Sequence, residues 1–82
     1  MTDVSISDLT SMRDIILQAI KREESAFEFY TKAVSRARTD AEITMFQNLA
    51  EQELGHKAAL QQWLQELDTQ IETDRALSYD VY

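Results

Sequence analysis

The residues TDAE, at positions 39–42, divide this chain of 82 residues into two helical halves. A threonine followed three residues later by a glutamate is typical of a capping box, in which both side chains satisfy backbone N–H groups at the start of a helix. A new helix is therefore predicted to begin near Asp40. Because no long loop precedes this start, we expect the two helices to fold back on each other as an antiparallel hairpin.

Apolar residues recur at helical spacing in both halves of the chain. They are Ile16, Ile20, Phe27, Tyr30 and Val34 in the first half, and Phe46, Leu49, Ala50, Leu60, Leu64 and Leu67 in the second. This pattern predicts a first helix over about residues 8–38 and a second over about 40–67. The less regular tail, 68–82, is expected to form at most one short helix.

The composition favours a single all-α domain covering residues 1–82. There is no proline and only one glycine, and 44% of the residues are hydrophobic, which suits long helices better than a turn-rich β fold. The chain has no cysteine, so disulfides and thiolate metal sites do not contribute. A net charge of −7 argues against nucleic acid as a partner and suits a protein that attracts cations.

The first residues lack the pattern of a secretion signal, and no stretch has the length of apolar sequence that a membrane helix needs. We therefore expect a cytoplasmic protein that does not enter a membrane. Two helices alone cover only one side of each apolar stripe, so self-association is expected. Two hairpins paired face to face would give a four-helix bundle.

The stretch ELGH, residues 53–56, contains the only glycine and the only histidine. Residues three apart on a helix project from the same face, so Glu53 and His56 are able to hold one cation together. At about 100° per residue, Glu23 falls inside the apolar stripe of the first helix, Glu53 is central to that of the second, and His56 lies on its flank. A carboxylate in such a stripe normally takes up a proton, pairs with a cation or binds a metal.

The heights of these residues along the hairpin also agree. Glu23 precedes the predicted turn by about 16 residues, and Glu53 to His56 follow it by about 14 to 17, counted with a uniform helical rise. Two chains would supply four carboxylates and two imidazoles, which is the ligand set of di-iron and di-manganese carboxylate bundles. Oxygen and nitrogen donors without sulfur suit iron or manganese, and zinc would also bind.

A metal-free alternative stays open at this point. In it, the chain is a helical interaction module, and Glu23 and Glu53 pair with arginine or lysine residues of a partner chain. Glu24 is a reserve ligand if the register differs by one residue. Lys57, at the edge of the apolar stripe, is expected to extend its ammonium to water.

The segments AIKREESAFEFY and NLAEQELGHKAALQQWL together resemble the ferritin-like superfamily, and in particular rubrerythrin-type domains. Glu23, Ala26 and Tyr30 match the order of residues in the first helix of that family, and Glu53 and His56 match its Glu-x-x-His. The similarity covers roughly residues 16–67. Most members carry two such helix pairs in one chain, so a single pair resembles the short, two-helix encapsulated-ferritin-like branch.

This resemblance implies a di-iron ferroxidase that oxidises Fe(II) to Fe(III) for iron storage or detoxification, with two iron ions per dimer. Glu23, Glu53 and His56 would be the catalytic, metal-binding residues, and Tyr30 would donate a hydrogen bond to a ligand carboxylate. The resemblance also implies a homodimer at minimum, a ring-like higher oligomer, and an encapsulin shell as a partner and location. A rubrerythrin-like peroxide-reducing protein is the alternative within the family.

Overall fold

The computed structural model describes residues 6–80, and the side-chain surroundings of residues 6–77. Over this range the chain forms helix α1, Ile6–Val34, and helix α2, Asp40–Asp80, with no strand. The two helices pack side by side as an antiparallel hairpin. The predicted all-α hairpin is thus confirmed. Neither of these two helices has an apolar stretch that could span a membrane.

The predicted cap at the start of α2 is present. The N–H of Glu42 donates to Oγ1 of Thr39 at 3.1 Å, and the first α-helical hydrogen bond runs from the N–H of Ile43 to the carbonyl of Thr39. The carboxylate of Glu42 accepts a hydrogen bond from the N–H of Arg38 at 2.7 Å. It therefore reaches one residue further back than a standard capping box requires.

Helix α1 ends at Val34, four residues before the expected end near residue 38. The N–H groups of residues 35–37 each donate to the carbonyl three residues back, at 3.0 to 3.2 Å. Such tighter hydrogen bonds are common where an α-helix ends. Residues 35–39 are consequently needed for the connection that reverses the chain direction.

A heptad spacing of alternating three and four residues describes the contact between the helices. Its positions on α1 are Ile6, Leu9, Arg13, Ile16, Ile20, Glu23, Phe27, Tyr30 and Val34, and on α2 they are Ile43, Phe46, Ala50, Glu53, Lys57, Leu60, Leu64, Leu67, Ile71 and Asp74; all are buried or partly buried. We call this contact the seam. A repeat of 3.5 residues keeps a seam facing its partner over many turns. Glu23 and Glu53 occupy positions of this repeat and therefore lie in the seam.

The most buried part of the seam lies near the start of α1. A cluster of buried side chains there contains Leu9, Ile16, Ile20, Leu67 and Ile71, with Leu60 and Leu64 packed against it. Apolar burial of this kind is the main favourable contribution to folding.

The expected end of the second helix near residue 67 differs from the structure, because α2 continues to Asp80. Ile71 is buried in the core cluster, and Arg13 Nε donates to Oδ1 of Asp68 at 2.7 Å. These contacts attach the segment 68–80 to α1, and no proline or glycine follows Gly55 to end the helix. Residues 81 and 82, the end of the expected tail, lie outside the described range.

The two sides of the hairpin differ in composition. In an antiparallel pair, the residues just outside the seam on one side of α1 lie beside the equivalent residues of α2. One side, which we call the His56 face, carries six of the seven large hydrophobic residues that are exposed in the described chain: Met12, Ile15, Phe29, Met45, Trp63 and Leu77. The seventh, Leu54, lies on the opposite face.

Candidate metal centre

Glu23 and Glu53 reach the same level of the hairpin from opposite helices. Glu23 is a seam residue of α1, Glu53 is a seam residue of α2, and His56 follows Glu53 by one helical turn on the flank of the seam. The side chains of the two glutamates are 23% and 17% exposed, whereas that of His56 is 61% exposed. The cluster is therefore partly enclosed between the helices and open toward the His56 face.

The donor atoms of these three residues converge. Nδ1 of His56 lies 3.5 Å from Oε2 of Glu23 and 3.7 Å from Oε2 of Glu53. One ligand atom from each residue lies within 4.8 Å of the other two, and no other group of three such residues was found in the described chain. Two donors on opposite sides of one ion, each about 2.1 Å from it, are about 4.2 Å apart. The three donor atoms, which lie within 4.8 Å of one another, therefore need to move only slightly to coordinate one ion.

One carboxylate oxygen in this cluster lacks a hydrogen bond. Oε2 of Glu23 is buried and has no hydrogen-bond partner among the described residues. Nδ1 of His56, 3.5 Å away, does not donate a hydrogen bond to it. A buried, unpaired carboxylate oxygen costs free energy. A bound cation would satisfy this oxygen and reduce the repulsion between Glu23 and Glu53.

The chemistry of the donors fits iron. Two carboxylates and one imidazole per chain, without sulfur, are suited to iron or manganese, and zinc also binds such a set. A histidine must be neutral and a carboxylate ionised in order to coordinate a metal. The residues Glu23, Glu53 and His56 would hold the ion, and each comes from a rigid helix rather than a loop.

A cleft opens on the side of the seam opposite to His56. It is lined by Glu23, Glu24, Phe27, Glu28, Glu53, Leu54 and Lys57. Nζ of Lys57 lies 2.9 Å from Oε2 of Glu24 in this cleft. Glu24, the reserve ligand of the sequence interpretation, thus pairs with a lysine and is not part of the cluster.

The position of Lys57 differs from the sequence expectation that its ammonium extends freely to water. Glu24 and Lys57 belong to different helices, so neither sequence spacing nor composition connects them. The heptad position of Lys57, four residues after Glu53, is the signal that places it in the seam.

Tyr30 lies in the seam two helical turns from Glu23. Within the described chain its side chain makes no hydrogen bond. Its ring meets that of Phe29 edge-on, with centroids 5.5 Å apart and planes at 79°. The expected hydrogen bond from Tyr30 to a ligand carboxylate therefore stays a prediction, and it would have to form in the assembly of two or more chains.

One family model of known proteins matches most of this chain. The family model described as Rubrerythrin matches residues 14–82, a range that contains Glu23, Glu53, His56 and Tyr30. No curated protein and no solved structure matches the chain. The family match covers more than half of the chain, and it agrees with the helical hairpin. The chain therefore belongs to the rubrerythrin family and is a ferritin-like, rubrerythrin-type domain.

Proposed function

We propose that this protein is a ferroxidase, which binds Fe(II) as its substrate between two copies of the chain and converts it to Fe(III). The observation that carries the proposal is the convergence of Glu23, Glu53 and His56, with Oε2 of Glu23 buried and lacking a hydrogen bond. Membership of the rubrerythrin family supports iron as the metal.

A second copy of the chain is part of this proposal. One chain supplies three donor residues, which are too few to surround two metal ions. Two copies would bring four carboxylates and two imidazoles, and the four negative charges would balance two divalent ions. The exposed side chain of His56 lies on the face from which the second copy would approach.

The His56 face has the properties of a contact surface. The hairpin measures 66 × 21 × 14 Å, so it is one layer of helices thick. Six exposed large hydrophobic residues lie on this face, and a concentration of that kind marks an interaction site in soluble proteins. A second copy that covers it would give the four-helix bundle expected for this fold class.

The protein's own residues would have three tasks in the reaction. Glu23 and Glu53 would attract and hold the ions through their negative charge, and neutral His56 would supply a nitrogen donor. The enclosing apolar residues would keep bulk water away, which strengthens these electrostatic interactions. Each Fe(II) gives up one electron; two electrons and two protons convert dioxygen to hydrogen peroxide, or hydrogen peroxide to two waters.

Iron oxidation by site variants tests this function. Fe(II) is added without oxygen, air or hydrogen peroxide is then admitted, and the loss of Fe(II) is followed with a ferrous chelator. Glu53→Gln and His56→Ala are expected to lose the protein-dependent oxidation while keeping the helical circular dichroism spectrum. Glu51→Gln is the control, because Glu51 is exposed on the outside of the same helix. Normal oxidation by both site variants would refute the assignment.

Comparison of the two oxidants separates ferroxidase from peroxide-reducing activity. A ferroxidase of the storage type turns over with dioxygen, whereas a peroxide-reducing protein oxidises its iron much faster with hydrogen peroxide. We propose the first for the site in these 82 residues, which themselves contain no cysteine for an iron–sulfur centre; much faster oxidation with hydrogen peroxide than with dioxygen would favour the second.

Assembly beyond the dimer, and enclosure in an encapsulin shell, stay predictions from the resemblance to encapsulated ferritins. Light scattering of the protein with and without Fe(II) would measure the assembly. A ring-like oligomer requires a mass of several dimers, and a mass of one dimer would exclude it under those conditions. Co-expression with an encapsulin shell protein, followed by purification of the shells, would test enclosure.

A further inference from the structure

Lys57 places a positive charge inside an acidic part of the seam. It follows Glu53 by four residues on α2, in the order and spacing at which a glutamate and a lysine attract each other on a helix. Its ammonium nevertheless lies 2.9 Å from Oε2 of Glu24, across the hairpin. In the described chain, Lys57 forms no ion pair with Glu23 or Glu53.

We propose that Glu24 is a positioning residue, which holds the ammonium of Lys57 away from the carboxylates of Glu23 and Glu53 and so leaves them available for a divalent cation. This inference rests on the proposed metal centre. Glu24 is not part of the three-residue cluster, so it acts through Lys57 rather than as a ligand.

The cleft gives the ammonium of Lys57 other carboxylates besides that of Glu24 with which to pair. Glu23, Glu24, Glu53 and Lys57 all line it, so the ammonium can move between counterions by rotation of its side chain. The lysine side chain has four flexible carbon atoms and a compact charge with three rotatable donors.

Without Glu24, the ammonium would bind where the metal is expected. Oε2 of Glu23 lacks a hydrogen bond, and Glu53 is in the favourable position for Lys57 on the same helix. Lys57 would then neutralise part of the negative charge of the cluster. An incoming divalent ion would have to displace this internal cation, which lowers its affinity.

Titration of the full chain with Mn(II), followed by calorimetry, tests the inference without iron oxidation. Mn(II) has the same charge and similar ligand preferences as Fe(II), and it is stable in air. Glu24→Gln keeps the size of the side chain and removes its charge. The dissociation constant for Mn(II) is expected to rise roughly tenfold, a moderate effect because both partners of the ion pair are partly exposed.

Glu28→Gln is the matched control. Glu28 lies one turn further along α1 and lines the same cleft, so this variant loses an equal charge without releasing Lys57. Its Mn(II) affinity is expected to fall by no more than about twofold, the effect of a distant, screened charge. Equal weakening by Glu24→Gln and Glu28→Gln would overturn the positioning role in favour of a general effect of acidity.

Removal of the lysine supplies the decisive comparison. The double variant Glu24→Gln/Lys57→Met retains an apolar stem in the seam and lacks the competing ammonium. It is expected to bind Mn(II) at least as tightly as the original chain. If the double variant stays as weak as Glu24→Gln alone, Glu24 acts directly on the ion and the proposal is wrong.

The outcomes also separate this inference from the proposed function. If the original chain binds no Mn(II) or Fe(II), the metal centre and the positioning role fall together. If the original chain binds Mn(II) and Glu24→Gln binds it equally well, only the positioning role is overturned.

Discussion

Ile15 and Ile16 are consecutive residues of α1, yet Ile16 is 2% exposed in the seam and Ile15 is 58% exposed on the His56 face. The first contributes to the fold of one hairpin. The second contributes, in the proposed assembly, to the contact between hairpins. This division of one helix between two apolar surfaces allows folding and assembly to be tested separately.

Ile16→Ala is expected to lower the free energy of unfolding by about 2–4 kcal/mol, because it removes buried methyl groups and leaves a cavity. Urea denaturation at low protein concentration, followed by circular dichroism, would measure this. Ile15→Ala is the control and should change the stability of the single hairpin by less than about 0.5 kcal/mol. Similar losses in both variants would contradict the assignment of the seam.

Trp63→Asp is expected to weaken self-association at least about tenfold, since it places a charge on the His56 face where a second copy would pack. Sedimentation of the metal-free protein over a range of concentrations would give the association constant. Leu54→Asp is the matched control, because Leu54 is an exposed large hydrophobic residue on the opposite face. If Leu54→Asp weakens self-association more than Trp63→Asp does, the interface lies on the face opposite to His56 and the proposed contact surface is wrong.

Glu23→Gln should increase the stability of the metal-free protein by about 1 kcal/mol. The substitution removes a partly buried negative charge close to Glu53 and keeps the shape of the side chain. The measurement is thermal unfolding of the original chain and the variant with a chelator present.

Mn(II) should reverse this order of stability. It raises the melting temperature of the original chain by binding the folded state, and it should have little effect on Glu23→Gln. A melting temperature of the original chain that does not respond to Mn(II) or Fe(II) would argue strongly against a metal centre.

Thr39→Ala is expected to lower the free energy of unfolding by about 1 kcal/mol, because the N–H of Glu42 loses the hydroxyl that caps α2. Thr44→Ala, an exposed substitution inside the same helix, is the control and should be neutral or slightly stabilising. An unchanged stability for Thr39→Ala would mean that water replaces the cap without cost.

Gly55→Ala should stabilise the hairpin by about 1 kcal/mol, the difference in helix propensity between the two residues. A Cβ atom at Gly55 would meet nothing within 4 Å. Chemical denaturation of the dilute protein would measure the gain. A loss of stability only at concentrations where the protein associates would reveal that another copy approaches Gly55 closely.

The fold was largely predictable from local patterns. Thr39 and Glu42 mark the start of a helix through short-range hydrogen bonds. The spacing of apolar residues before and after them in the chain predicts one buried stripe per helix. The placement of Glu23 and Glu53 in those stripes follows from the angle between successive residues of a helix. The predicted end of α2 was too early. Ile71 continues the spacing of Leu64 and Leu67, and no glycine or proline follows Gly55, so the local pattern is compatible with the longer helix that the contacts to α1 stabilise.

The order of side chains along the chain therefore defined the two helices, their inner faces and the inward position of two glutamates, since each of these depends on neighbours within a few residues. The folded arrangement decided what those glutamates meet. It brings Nδ1 of His56 to the acidic pair, leaves Oε2 of Glu23 without a hydrogen bond, and pairs Lys57 with Glu24 rather than with Glu53. Contacts between helices depend on distances in space, and sequence periodicity has no information about which of two nearby carboxylates a flexible lysine will choose.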